Sequence, residues 1–500
     1  MMNGTKLVLH ILVTGIVLGI LGDVLLRAGP WALNLTLWTV ALLAAVLGLA
    51  FYHRVDWPRG TVWLAVPIAL FALGYVWHDS GGLKFLDLLA ILVGFSIWSL
   101  SLEGFRSWGI VDHLRGMINS GLAAIAGLAV LERGDINWTP RSATLRHVRS
   151  VVVGLAIAFP LLFVFGGLLM AADAVFENVV TRALDFDLAT IFSHAALTAF
   201  FAWIVCGFLL LILKARKPVV ADRLQVERPG LGLVEVTLPL ALVDLLFLAF
   251  VVVQLRYLFG DASLVEETVG LTYAEYARRG FFELVTVFAL VLPLLLAADW
   301  VVGEAERRTR NIVRALAGLQ LFLLFVIMIS AIQRMALYVD AYGLTDDRLY
   351  ASVFMAWLGI VLAWFAATVL RGRRERFTVG AVASGFLALL VLNIMNPDAL
   401  VARVNIDRAR AGYEFDALYA TFLSADAVPP LVEALPDLEE EDRCLAAKRI
   451  LERWSPPEER DWRTWNHGRW TAWRVVEEEM PSLRGLCPED ETPADLPSGS

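Results

Sequence analysis

The chain has 500 residues, of which 58% are hydrophobic and 18% charged, and its mean hydropathy is +0.66. That balance excludes an ordinary water-soluble globule and requires lipid around most of the chain. The formal charge of -8 divides into 22 acidic and 12 basic residues from Asp398 onward and 28 acidic and 30 basic before it, so the acidity lies in the tail and no basic stripe suited to nucleic acid remains.

Apolar runs of about 20 residues, each able to cross roughly 30 Å of hydrocarbon as a helix, recur at residues 7–26, 31–52, 61–78, 83–100, 148–172, 193–213, 236–259, 281–300, 313–334, 349–370 and 377–396. Helices must do the crossing. An unpaired backbone group in lipid costs several kcal/mol, and the alternating pattern of a membrane barrel is absent. The expected fold is all-α, a polytopic transmembrane bundle of about eleven spans followed by a small helical tail.

The first run is longer than a secretory h-region, no small-x-small cleavage site follows it, and a second run begins at Trp31, so it reads as a retained helix. Gly15, Gly19 and Gly22 put small residues on one of its faces for close helix contact. Residues 117–131 are apolar but short, flanked by Arg115 and Arg133, and read as interfacial or re-entrant. Asp185-Phe-Asp187 has the Asp-x-Asp form with which some glycosyltransferases hold a metal-bound sugar phosphate, but two acids at i, i+2 in an acidic loop are common by chance and read first as a solvated turn. Cys206 falls inside a span and reads as core. Asp244 lies within the seventh span among apolar neighbours. A carboxyl there must be protonated, paired or beside water, so it is either a proton- or cation-linked site or a neutral acid bonded across helices, with Gln320 as its partner.

The stretch Leu271-Thr-Tyr-Ala-Glu-Tyr-Ala-Arg-Arg-Gly-Phe-Phe-Glu283 is the most informative. Thr272 and Glu275 have capping-box spacing, so a helix starts there and runs into the eighth span. Glu275 reaches Arg278 and Arg279 at i+3 and i+4, and Arg256 ends the seventh span at the same boundary. Arg256, Glu275, Arg278 and Arg279 form the candidate ligand-binding cluster; an interfacial anchor whose charges pair locally is the alternative. Asp173 and Glu177, Gln333, Arg334 and Tyr338, and Asn393, Asn396 and Asp398 gather at that boundary too.

Arg and Lys orient the spans. Basic connections at 104–149, 214–228, 304–314 and 371–376 alternate with acidic ones carrying Asp173 to Asp187, Asp261 to Glu275, and Asp340 to Asp347. The N-terminus is therefore expected in the cytoplasm and the tail outside. The expected parts are a four-helix N-terminal part (1–100), a cytoplasmic or interfacial connection (101–147), a seven-helix part (148–397), an acidic Trp-rich helical tail (398–487) and a disordered end (488–500).

Helical patches are expected in the tail at 416–423, 428–435 and 440–454. Residues 461–474 hold four tryptophans among three arginines, expected to pack within the tail, with the membrane interface or a protein partner as alternatives. Cys444 and Cys487, outside by the charge rule, invite a disulfide. No Gly-x-x-x-x-Gly-Lys loop, His-Glu-x-x-His helix or Gly-x-Ser-x-Gly elbow occurs. Catalytic residues, metal ligands and cofactors are accordingly not expected.

Ala172-Asp-Ala-Val-Phe-Glu177, Gln254-Leu-Arg-Tyr-Leu-Phe-Gly260, the run from Leu271 to Leu284, Asn396-Pro-Asp398 with Ala402-Arg403, and Asp461-Trp-Arg-Thr-Trp-Asn466 together resemble an uncharacterised bacterial family of multi-pass membrane proteins, domain of unknown function family four-one-seven-three. The resemblance covers residues 148 to the tail and implies a bacterial inner-membrane location, with no activity to carry over. The function expected first is non-enzymatic: binding or translocating a small or lipidic ligand through an outward-facing polar site, with membrane lipids as partners. A signalling or assembly component with a sensing tail, and a lipid-linked transferase at the outer face, are the alternatives.

Overall fold

A computed structural model describes residues 2–55, 57, 61–100, 118, 121, 188–214, 233–258, 281–302 and 306–487. Among them are fifteen α-helices and no strand: α1 (Met2–Leu26), α2 (Leu33–His53), α3 (Ala65–Trp77), α4 (Gly81–Leu100), α5 (Leu188–Lys214), α6 (Leu233–Leu258), α7 (Phe281–Val301), α8 (Arg307–Tyr342), α9 (Asp346–Thr368), α10 (Phe377–Met395), α11 (Pro397–Arg410), α12 (Ala417–Phe422), α13 (Val428–Ala434), α14 (Glu440–Trp454) and α15 (His467–Gly485). Nine described helices are long and apolar enough to span a membrane, namely α1, α2 and α4 to α10; α3 is a shorter apolar helix. The protein is an all-helical, multi-pass membrane protein. Of the eleven apolar runs, 148–172 lies outside the described residues, as do nearly all of residues 117–131 and all of 488–500.

The described helices belong to two units: α1, α2 and α5 in one, and α3, α4 up to Ile97 and α6 to α15 in the other. In the first, α1 lies against α2 and α5 along the small face read from the sequence. A Cβ on Gly15 would strike Cys206, one on Gly19 would strike Ala202, and one on Gly22 would meet Phe201 and Trp38. Small residues let the backbones close in, and Cys206 is buried there.

In the second unit, Leu240, Phe288, Leu295, Leu324, Ile327, Leu362 and Phe365 form the core of α6 to α9. Capping then decides where the helices beyond begin. Thr345 caps α9 by accepting Arg348 N–H, Asp416 caps α12 through Tyr419 N–H and Asn466 caps α15 through Arg469 N–H. Asn396 takes a left-handed φ of 52° and Pro397 opens α11, so the chain turns sharply as it leaves α10. Helices α11 to α15 close over a core of their own, built on Val401, Leu431, Leu435, Ile450 and Val476. They form a cap, and Cys444 and Cys487 are joined in it by a disulfide with Cα atoms 5.0 Å apart.

Candidate functional site

The site lies where the cap meets the short turn between α3 and α4. His78, Asp79 and Ser80 occupy that turn, Asp398 stands in the first turn of α11, and Ser424 and Asp426 lie between α12 and α13. Ser80 and Ser424 bracket the two carboxylates. Ser80 Oγ donates to Asp398 Oδ1 at 2.9 Å while its N–H donates to Asp426 Oδ2 at 3.3 Å; Ser424 N–H donates to Asp398 Oδ2 at 3.0 Å while its Oγ donates to Asp426 Oδ2 at 3.4 Å. Asp426 Oδ2 also accepts Asp79 N–H at 2.7 Å. The cations of the cluster go to Asp79 instead: Lys84 Nζ at 2.6 Å and Arg469 Nε at 3.2 Å.

Asn466 completes the seam, donating to the carbonyls of Tyr75 at 2.9 Å and His78 at 2.8 Å. Two further contacts hold the cap to the turn between α8 and α9: Asn405 exchanges hydrogen bonds with the backbone of Leu344, and the Tyr419 hydroxyl donates to Asp346 at 2.9 Å. Burial, reinforced by Asp79 and Asp398 and opposed by the two turn N–H groups, pushes the Asp426 carboxyl up to about 6. Burial pulls the His78 imidazole below its ordinary value, and its Nδ1 lies 3.9 Å from Asp426 Oδ2.

Inward from the turn, Asp87 on α4 is fully buried and accepts Asn393 Nδ2 of α10 at 2.9 Å. Gly74 of α3 makes this approach possible: a Cβ there would sit 2.5 Å from Asp87 Oδ2 and 2.6 Å from Asn393 Oδ1. Beside this contact, α4, α9 and α10 line an open-sided cavity of about 820 Å³ whose walls are almost wholly apolar, with Phe85, Leu89, Val353, Trp357, Phe386 and Leu389 among them. Tyr350 stands at the polar edge of the cavity, its hydroxyl 3.2 Å from Ser80 Oγ, over Gly82, where a Cβ would lie 2.9 Å from the ring.

The sequence pointed to this boundary through Asn393, Asn396 and Asp398, and the structure brings Asn393 and Asp398 into the site. Glu275, Arg278, Arg279, Asp173, Glu177, Asp185 and Asp187 lie outside the described residues; Arg256 falls in α6, with nothing described of its side chain. Asp244 is buried in α6 and Gln320 in α8, but the expected bond between them is absent, for neither side chain has a hydrogen-bond partner among the described residues. The expected packing of the tryptophans inside the tail holds for Trp473, which lies against the core of the cap, and is corrected for the other three. Trp462, Trp465 and Trp470 are 60%, 39% and 36% exposed, because the caps at Asp461 and Asn466 turn the inner face of α15 to Gly468, Ala472 and Val476 instead; His467 stacks on Trp77, ring centroids 4.5 Å apart.

Asp79, Asp87 and Asp426 were not singled out by sequence. Asp87 carried the same signal as Asp244, an acid inside an apolar span; Asp426 sits in a polar tail where no single acid stands out. Among the described residues no group of three or more His, Cys, Asp or Glu is placed to hold a metal ion.

Comparison with curated proteins and with solved structures finds no match. A family model does match, over residues 65–434, and thereby takes in α3 and α4, ahead of the region covered by the resemblance. It is a family of unknown function numbered 4153, where the resemblance named four-one-seven-three. Since the match spans most of the chain and includes the turn, the cavity helices, Asp398 and Asp426, the protein belongs to the family Domain of unknown function (DUF4153).

Proposed function

We propose that this integral membrane protein is a non-enzymatic component of a bacterial cytoplasmic membrane that holds a lipidic ligand, with the hydrocarbon part in the cavity between α4, α9 and α10 and the polar end at the outward face. The cavity carries this reading. Its volume of about 820 Å³ falls in the range of roughly 300–1,000 Å³ usual for ligand sites, and its three walls are all candidate membrane spans. Water gains little in such a space because the walls offer it few hydrogen bonds, whereas an acyl chain has no hydrogen bonds to give up. Polar groups are concentrated at one edge, where Tyr350 and Ser80 lead to Asp398. Arg256, Glu275, Arg278 and Arg279 are proposed to meet the polar end of the ligand.

Native mass spectrometry of the protein extracted from its own membrane tests the proposal, using wild type beside Ala388→Phe and Ala351→Phe, which fill the cavity from two walls. A lipid bound to wild type and lost from both variants, at a melting temperature near wild type, is the expected result. An unchanged lipid complement in both variants would overturn the proposal. A signalling or assembly role is the second reading, supported by the hydrogen bonds that tie the cap to the α3–α4 turn; it requires a protein partner that co-purifies only with the cap intact.

A further inference from the structure

At the opposite end of the same helices, segments remote in sequence bring arginines together. Arg307, Arg308, Arg310 and Arg314 occupy the first turns of α8, and Arg371, Arg373, Arg374 and Arg376 occupy the link from α9 to α10. The two groups converge on Asp299 near the end of α7. Arg374 lies 3.8 Å from its carboxylate, and Arg310 and Arg314 act on it electrostatically as well. Arg314 runs against the link itself: a Cβ on Gly372, whose φ is 75°, would stand 3.1 Å from its guanidinium. One carboxylate thus pairs with the Arg374 guanidinium and lies in the field of two more, and the two segments together carry eight arginines against Asp299, Glu304, Glu306 and Glu375.

Arginines therefore outnumber acids two to one at this end. The Nε of Arg314 is closed off from solvent with no hydrogen-bond partner among the described residues, a costly condition for a donor. Sidedness alone accounts for basic residues at this end, but not for their convergence on one carboxylate or for the bare backbone of Gly372 beneath Arg314. The cluster sits at the ends of four candidate membrane spans, α7 to α10, the level at which lipid headgroups lie. We propose that Arg310, Arg314 and Arg374 bind the phosphate of an anionic phospholipid at this end of the bundle, with Asp299 holding the guanidiniums in place. Guanidinium forks suit a phosphate diester because two parallel N–H groups meet two oxygens. This site is separate from the cavity and does not depend on what fills it.

The test uses the full-length protein, delipidated in neutral detergent and titrated with phosphatidylglycerol, phosphatidylcholine or inorganic phosphate, with melting temperature and native mass spectrometry as readouts. Wild type is expected to retain phosphatidylglycerol and melt higher with it, and to respond to neither of the other two. Arg314→Gln is expected to weaken phosphatidylglycerol binding roughly tenfold, the scale of one lost charge-assisted hydrogen bond. Arg374→Gln, on the exposed link, is expected to do the same and guards against a folding defect in the first variant. Equal phosphatidylglycerol binding in wild type and both variants would overturn the proposal, as would a shift of the same size with phosphatidylcholine or with inorganic phosphate.

Discussion

Asp426 Oδ2 accepts the backbone N–H of Asp79 at 2.7 Å, joining positions 347 apart in the chain. Ser80 N–H reaches the same oxygen, so one carboxylate of the cap satisfies both donors that lie just ahead of α4. A helix start left without acceptors is unstable in a dry setting, and the cap is therefore part of what lets α3 and α4 meet in so short a turn.

Close approach at this seam depends on glycine. A Cβ on Gly468 would collide with Asp426 Oδ1, and one on Gly74 would collide with Asp87 Oδ2 and Asn393 Oδ1. Gly468→Ala and Gly74→Ala are each expected to cost about 1–3 kcal/mol, the usual penalty for overpacking. Gly468→Ala should in addition make the chain beyond Asn396 more sensitive to limited proteolysis. Wild-type melting and digestion in both variants would mean that the seam is looser than its distances indicate.

Asp426 also predicts a dependence on pH. Its folded value of about 6 exceeds the ordinary 3.8, so between those values the folded protein holds a proton that the unfolded chain has released. The stability it contributes is complete below about pH 4, is lost as pH rises to about 6, and amounts to about 3 kcal/mol. His78, depressed by burial, acts in the opposite sense and costs stability as pH falls through the ordinary histidine range. Melting of Asp426→Asn minus wild type should therefore improve steadily from pH 4 to pH 6 and then level off. A difference independent of pH would show that Asp426 does not titrate in that window.

The disulfide of Cys444 and Cys487 closes a loop with a sequence separation of 43, for which the chain-entropy model gives about 4 kcal/mol against unfolding. Cys206 is a buried free thiol. Protein taken from cells without reductant should label with maleimide at one cysteine after unfolding and at three after reduction, and reduction should lower the melting temperature of the cap. Three labelled thiols without reduction would mean that the bridge is not formed in the cell.

Orientation remains a prediction from charge. Reporters active only outside the cytoplasm should work after Asp185, Glu266, Asp346 and Asp426 and fail after Arg223, Arg308 and Arg373. A reversal at Asp426 alone would mean that the number of spans ahead of the cap is one more or one fewer than expected.

The helices and their membrane character were legible from sequence because both arise from local properties: runs of apolar residues of spanning length, and the chemistry of their ends. Residues 416–423, 428–435 and 440–454 likewise announced α12, α13 and α14, since capping acids and apolar spacing lie within a few positions of one another. The glycine face of α1 was equally visible, because small residues at i, i+4 and i+7 share a face whatever the partner.

The site could not be read the same way. Asp79, Asp398, Asp426 and Asn466 are four polar residues among many until the fold brings 75–80, 393–398, 424–426 and 466–469 together. Asp87 and Asp244 look alike in sequence, each an acid in an apolar span; only packing gives Asp87 the amide of Asn393 and leaves Asp244 without a partner among the described residues. The cavity is a space between three helices from two distant parts of the chain. Burial, charge pairing and empty volume depend on long-range contacts that the tertiary structure alone decides, whereas helicity and hydropathy are properties of neighbours along the chain.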